Sequence, residues 1–222
     1  MAKASPAMST ATTDTRTKIL DVAEKIFAEQ GLEGSSIREI TSAADVRLAA
    51  VNYHFESKEN LYLEVIKRRS RELIEDRHEA LDAVMSSGLE GEGRLRAIVE
   101  AFVDPVFRYW YQRDEGWRNY CRLTARASLV GIWRPTTTIE FFNTTTQRFI
   151  EAIRSTFPDT DDYTAHMCMM FMLSNLLFVM TNNKRLDSLS GGAYRSDDLI
   201  RMKPLITTYI VAGVMGLVAP AR

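Results

Sequence analysis

The sequence predicts an all-α protein, and three observations carry that prediction. Apolar residues recur three and four positions apart along most of the 222 residues, which puts them on one face of a 3.6-residue helix. Alternating β-branched runs closed by Asn-Gly or Asp-Gly, the mark of hairpins, are missing from the chain. The 11 glycines and 6 prolines fall mostly between the periodic stretches, where they act as punctuation.

The elements follow in order. Residues 1–13 (MAKASPAMSTATT) are small and polar without an apolar segment, and read as a disordered tail. A first helix over 15–30 carries the stripe Ile19, Val22, Ala23, Ile26 and Phe27, and Gly31 follows where a positive φ is usual. Ser36-Ile37-Arg38-Glu39 has the capping-box pattern and opens a short second helix, with Ile37, Ile40 and Ala44 inward. After a break at Asp45-Val46, a third short helix spans 47–53. Ser57 is a good N-cap for a long fourth helix ending near residue 85, whose apolar stripe includes Leu61, Val65, Leu73, Ile74 and Leu81. Five more helices are read at 94–112, 115–130, 137–156, 160–182 and 197–218, about nine in all. Pro105 falls inside the first of these; Trp133-Arg134-Pro135 and Phe157-Pro158-Asp159 are connectors, and 182–195 is a polar loop. Thr160 and Ser196 are read as N-caps.

Composition excludes more than it assigns. The formal net charge is −1, with 45% hydrophobic residues, ordinary for a protein that buries a core. No apolar run reaches membrane-spanning length uninterrupted, since Ser174 and Asn175 break the longest, so no membrane partner is expected. Cys121 and Cys168 lie far apart and read as reduced buried thiols of a cytoplasmic protein. The three histidines His54, His78 and His166 are scattered. No zinc spacing, HExxH, GxSxG or phosphate-binding glycine loop occurs. Catalytic residues, metal ligands and cofactors are therefore expected to be none, and the chain is not read as an enzyme.

Two short helices joined by a tight turn, with another packed behind, form the minimal DNA-reading module. Residues 35–55 have that form. Residues 14–62 hold more acid than base, so a DNA reading rests on individual positions rather than bulk charge. In Arg47-Leu48-Ala49-Ala50-Val51-Asn52-Tyr53-His54-Phe55, the alanines keep the helix surface close to its backbone. Val51 and Phe55 anchor it inward. Arg47, Leu48, Asn52, Tyr53 and His54 face out. Asn52, Tyr53 and His54 suit phosphate oxygens; Ser35 and Ser36 suit a phosphate at a helix start, and Lys58 contributes charge. Arg47, the Leu48-Ala49-Ala50 surface and Arg38 are left to read base edges.

The stretches ILDVAEKIFAEQGLEGSSIREITSAADV and AAVNYHFESKENL resemble the DNA-binding domain of TetR-family repressors. The resemblance implies an all-helical homodimer of about nine helices per chain whose grip on a double-stranded operator is controlled by a small molecule. It also implies DNA-facing positions at Ser36, Arg47, Leu48, Ala49, Asn52, Tyr53, His54 and Lys58. Asp45 stands where the family usually has glycine in the turn, and Asp tolerates the left-handed region better than most residues. Leu48 and Ala49 replace more usual polar or glycine residues. The LAAVNYHF form is similar to a subgroup near fatty-acid-responsive regulators.

Beyond residue 65 the resemblance fades and the chain becomes aromatic-rich. Residues 63–222 read as one helical domain for ligand binding and dimerisation. Candidate pocket walls are Phe102, Val106, Tyr109, Trp110, Trp117, Cys121, Thr124, Phe142, His166, Phe171 and Asn175; a polar group among apolar neighbours needs a partner if buried. An apolar, acyl or aromatic effector is expected. The methionine-rich helix at 160–182 and the last helix could form a four-helix dimer interface, with Gly213 and Gly216 allowing close approach. The competing expectation is a helical small-molecule-binding protein with no operator function.

Overall fold

The computed structural model describes residues 7–112, 114–129 and 137–218, and among these every regular element is a helix. The ten are α1 (Ala7–Gly34), α2 (Ile37–Ala43), α3 (Leu48–Phe55), α4 (Lys58–Met85), α5 (Gly91–Gln112), α6 (Glu115–Leu129), α7 (Thr137–Thr156), α8 (Asp162–Met180), α9 (Arg185–Leu189) and α10 (Leu199–Val218).

The local signals act where the sequence puts them. Gly31 takes φ 76°, which breaks α1 before its last residues. Ser36 accepts the Glu39 amide and Ser57 accepts the Asn60 amide, each satisfying one of the amides a helix start leaves open. Asp45 sits at φ 50° in the turn between α2 and α3.

Several boundaries differ from expectation, each for a local reason. Helix α1 begins at Ala7, inside the stretch read as a tail; Ala7 and Ala11 carry the best helix propensity, and residues 1–6 lie outside the described set. The cap of α8 is Asp161 rather than Thr160: its carboxylate accepts the Thr164 amide, and Thr160 Oγ1 is buried without a partner. At α10 the Arg201 amide reaches Asp198, while Ser196 donates instead to Asp187. Asp187 belongs to α9, a five-residue turn of helix inside the stretch read as loop. Its bonds to Ser196 close that stretch on itself. The Trp133-Arg134-Pro135 connector lies outside the described residues.

Helices α1, α2, α3 and the start of α4 close round Ile19, Phe27, Ile40, Val51 and Phe55. The larger layer packs α5 against α4 and α10, α6 against α1 and α8, and α7 against α8. The boundary drawn at residue 62 falls within α4, which runs unbroken from the small unit into the large one.

Candidate functional site

Helices α2 and α3 owe their relation to backbone bonds in the turn: the Ala44 amide to Ile40, Asp45 to Ser42 and Val46 to Thr41. Val51 and Phe55 are 1% and 3% exposed, so α3 is pinned along one side. Its other side carries Arg47, Leu48, Ala49, Asn52 and Tyr53, all exposed, with Ala50 and His54 half-buried. Tyr53 projects furthest at 78% exposure, steadied by an edge contact with His54 at 5.0 Å between centroids.

Arg47 occupies the N-cap position of α3 with an extended backbone and no side-chain cap. The first amides of α3 therefore point outward without a side-chain acceptor, at the positive end of the helix dipole. Arg38 and Ser36 are exposed nearby on α2. Among the described residues the side chains of Arg38, Arg47 and Asn52 make no hydrogen bond or ion pair.

Two of the expected contact residues are otherwise engaged. Ser35 is buried and donates to the Leu32 carbonyl at 2.9 Å. Lys58 donates to the carbonyls of Leu32 and Ser35 at 2.8 and 3.1 Å. Those carbonyls lie at the end of α1, where a cation is favoured and acceptors are spare. Lys58 thus ties the end of α1 to the start of α4, with one of its three protons left over.

A buried ionic joint connects the small unit to the large one. Glu24 of α1, 4% exposed, accepts from Arg68 at 2.6 Å and Arg69 at 2.9 Å, both on α4. Arg69 also reaches Asp114 at 3.6 Å and lies over the Trp117 ring. A Cβ at Gly116 would come within 1.7 Å of Arg69 Nη2, so only glycine fits there beside the intact pair. Arg126 of α6 donates to the Glu29 carbonyl at 2.9 Å.

The large unit brings most expected pocket residues together. Tyr109 stacks on Trp117 at 4.1 Å, and Trp117 meets Tyr120 edge-on at 5.5 Å. Phe102, Val106, Trp110 and Cys121 are buried in the same core, and burial pushes the Cys121 thiol up to about 12. The Tyr109 hydroxyl donates to Asp76. Thr124 spends its hydroxyl on the Tyr120 carbonyl, and Phe142 packs half-buried at the edge.

Three residues are not with them. Phe171 is exposed on α8, Asn175 donates to the Phe171 carbonyl, and His166 bonds the Asp162 carbonyl at the surface. Helix α8 buries Ala165, Cys168, Met169, Met172, Leu176 and Met180, a face at three- and four-residue spacing that excludes all three. A separate open groove of about 850 Å³ lies between α4, α5 and α10, lined among others by Asp76, Ala80, Asp104, Phe107 and Lys203. Lys203 pairs with Asp104 there at 2.8 Å.

Helices α8 and α10 are each long and apolar enough to cross a bilayer by length and composition alone. Each packs one face into the core and leaves the other out. Tyr163, Phe171 and Phe178 of α8 and Leu205, Tyr209 and Leu217 of α10 are exposed apolar residues on these two helices. Among the described residues no group of His, Cys, Asp and Glu is assembled to hold a metal ion.

The sequence reading missed one interior residue. Arg77 of α4 lies against Phe102, its Nε donating to the Phe102 carbonyl at 2.9 Å. Its signal was available: position 77 continues the inward series Ser70, Leu73, Ile74 and Leu81, so a charge interrupts an otherwise buried stripe.

Comparison with known proteins agrees with this architecture. Residues 19–65 match the family model described as bacterial regulatory proteins, tetR family, and residues 100–213 match the tetracyclin repressor-like C-terminal domain. The chain is 33% identical over 91 residues to the HTH-type transcriptional repressor KstR2 of Rhodococcus jostii, covering 41% of this chain and 43% of that one. It is 34% identical over 104 residues to the HTH-type transcriptional repressor AcnR of Corynebacterium glutamicum, covering 43% and 55%. The chain thus spans about half the length of these curated relatives. Among solved structures, the fatty acid degradation regulator FadR from Bacillus halodurans superposes with a TM-score of 0.56 at 16% identity, covering 96% of this chain and 98% of that one. The hemolysin II transcriptional regulator HlyIIR superposes with a TM-score of 0.54 at 19% identity, covering 95% and 99%. At those identities the superpositions speak for the fold alone. The two family models take in both the helix-turn-helix and most of the large helical unit, and the chain belongs to the TetR family of bacterial regulatory proteins.

Proposed function

We propose that the chain is a ligand-responsive transcriptional repressor that binds operator DNA as a homodimer in the cytoplasm. The observation that carries the reading is the outward side of α3, where Arg47, Asn52 and Tyr53 stand exposed beside an uncapped helix start. A surface of that kind is suited to a duplex: open amides and hydroxyls to phosphate, Arg47 and the flat Leu48-Ala49-Ala50 surface to base edges and thymine methyls. Ser36, Asn52, Tyr53 and His54 take the phosphate roles and Arg38 assists Arg47. Ser35 and Lys58 act one step back, by holding the α1–α4 junction under the reading helix.

The dimer uses the uncovered faces of α8 and α10, two helices from each copy. Phe171 belongs to that interface rather than to the effector site. Burying these exposed apolar residues removes an association hazard that a monomer would carry. Two reading helices then meet successive major grooves of a pseudo-palindrome, roughly one helical turn, ~34 Å, apart. The effector, an apolar or amphipathic small molecule, occupies the aromatic core of α4 to α7 beside Phe102, Tyr109, Trp110, Trp117, Cys121 and Thr124. It acts by binding one spacing of the two heads better than the other. The Glu24–Arg68–Arg69 joint carries that difference from α6 to α1.

A gel-shift titration against the DNA upstream of the chain's own gene, at rising salt, tests the reading. Binding should prefer that DNA over random duplex and weaken steeply with salt. Arg47→Ala should cost ~1–3 kcal/mol of operator affinity, the range of a good base contact. Equal affinity for both duplexes would instead favour a small-molecule-binding protein without an operator, a reading to which the 49% exposed Leu48 at the front of α3 lends weight.

A further inference from the structure

Arg77 has no use in the reading above. It points from α4 towards Phe102 of α5 and towards Tyr120 and Cys121 of α6. The guanidinium carbon lies 3.9 Å from the centre of the Phe102 ring, which itself meets Phe149 edge-on at 5.1 Å. Nε is satisfied by the Phe102 carbonyl. Among the described residues the two η nitrogens meet no acceptor, and no carboxylate faces the group. Several other cations meet a carboxylate: Arg68 and Arg69 meet Glu24, Arg108 meets Asp76, and Lys203 meets Asp104. Burial pulls the Arg77 guanidinium down to about 10, so it remains charged at neutral pH. Its side chain is part-buried and keeps some accessible surface.

We propose that Arg77 is the anchor for an effector carrying a single carboxylate on an apolar body. The inference rests on the ligand-responsive reading and narrows it. A guanidinium offers two parallel N–H donors in the spacing of carboxylate oxygens, and that pairing strengthens where water is excluded. One charge is what the site has to neutralise. Ionisable groups within reach of Arg77 are Tyr120, Cys121 and His78; burial favours the neutral form of each, and Arg77 itself disfavours a charge on His78. The apolar body then lies along Phe102, Trp117 and Leu123. An alcohol of the same shape fills the same walls but leaves the cation unpaired.

The test uses the full chain and matched probes: octanoate with 1-octanol, laurate with 1-dodecanol, and 3-phenylpropionate with 3-phenyl-1-propanol. Binding is followed by thermal shift and calorimetric titration. At least one acid should bind about ten- to hundredfold tighter than its alcohol, the range for a hydrogen bond to a charged group. Arg77→Met should erase that preference while the alcohol still binds; where circular dichroism shows that variant unfolded, Arg77→Gln replaces it. The proposal is overturned if no acid exceeds its alcohol, or if the folded variant keeps the preference. Operator binding without any probe is measured alongside. Its failure would sink the regulator reading and leave the acid-over-alcohol contrast standing as a separate result.

Discussion

The two units of this chain carry function in opposite ways. In the helix-turn-helix the proposed contact side chains are mostly exposed, and the residues holding them are buried directly beneath: Tyr53 is 78% exposed, whereas Val51 and Phe55 next to it are 1% and 3%. In the large unit the candidate working residues are themselves buried, and most polar groups there are already satisfied, as Thr124 is by Tyr120 and Tyr109 by Asp76. A surface site can therefore change its chemistry at little cost in stability. An interior site cannot, because the atoms proposed to meet the ligand also hold the fold.

The strongest way to break this contrast is to attack the support instead of the surface. Phe55→Ala removes a buried ring that also carries the Arg16 guanidinium at 5.3 Å. Such truncations cost ~3–5 kcal/mol, a large share of the stability of a domain this size. The expected result is a lowered thermal midpoint by circular dichroism together with lost operator binding. An unchanged midpoint would mean that α3 is not held from beneath.

Next in size is the joint between the units. Gly116→Ala places a methyl where Arg69 meets Glu24, with the Glu24 Oε1 only 2.6 Å from the new carbon. Overpacking of this kind costs ~1–3 kcal/mol. Arg68 still covers Glu24, so the fold should survive with a lower melting temperature. The informative readout is effector-induced release from DNA, which should weaken more than DNA binding itself. Equal loss of both would place the joint in the scaffold and not in the coupling.

What the sequence disclosed divides along the same line. The helix-turn-helix was legible nearly residue by residue because its signals are local. The Ser36 cap, the Gly31 break, the Asp45 turn and the α3 face all lie within 25 residues of one another. The bonds of Ser35 and Lys58 were not legible for a tertiary reason: the end of α1 supplies carbonyls that both residues meet, and nothing adjacent in the chain announces it. In the large unit the helices were legible from periodicity, as for α7 over 137–156. Which side of a helix faces inward was not legible where both sides are apolar. Helix α8 has apolar residues on several sides, so Phe171 and Met172 look alike in sequence, yet Phe171 is exposed and Met172 buried. Arg77 shows the converse, a position whose meaning lay in the stripe it interrupts and not in its own residue type.

A smaller effect sharpens the surface side of the comparison. Tyr53→Ala removes an exposed ring with a single described aromatic contact, to His54. Surface changes of this sort usually stay within ±0.5 kcal/mol of the parent stability. A lost phosphate hydrogen bond costs ~0.5–1.5 kcal/mol of affinity, about two- to tenfold. Operator affinity should fall uniformly across operator sequences while the melting curve stays put. A sequence-dependent loss would move Tyr53 from phosphate gripping to base reading.

The smallest expected effect concerns pH and belongs to a half-buried residue of the large unit. The His78 ring nitrogen lies 3.0 Å from the Thr145 hydroxyl. Desolvation, with Arg148 and Arg77 adding repulsion against Asp82, lowers its pKa below the ordinary histidine value. The folded protein thus prefers neutral His78, and the unfolded chain takes up the proton first as pH falls. The associated stability is fully present above the unfolded value near 6.5 and is lost as pH drops below it towards the folded value. Carboxylates held low by their partners, among them Asp187 by Ser196 and Asp197 by Arg195, act in a different window, below their ordinary value of 3.8. Denaturant midpoints measured between pH 7.5 and 5 should therefore fall gently for the parent chain. In His78→Gln, which can keep the bond to Thr145, the slope should flatten in that interval while the decline below pH 4 stays the same. A parent slope that survives the substitution would exclude His78 as its source.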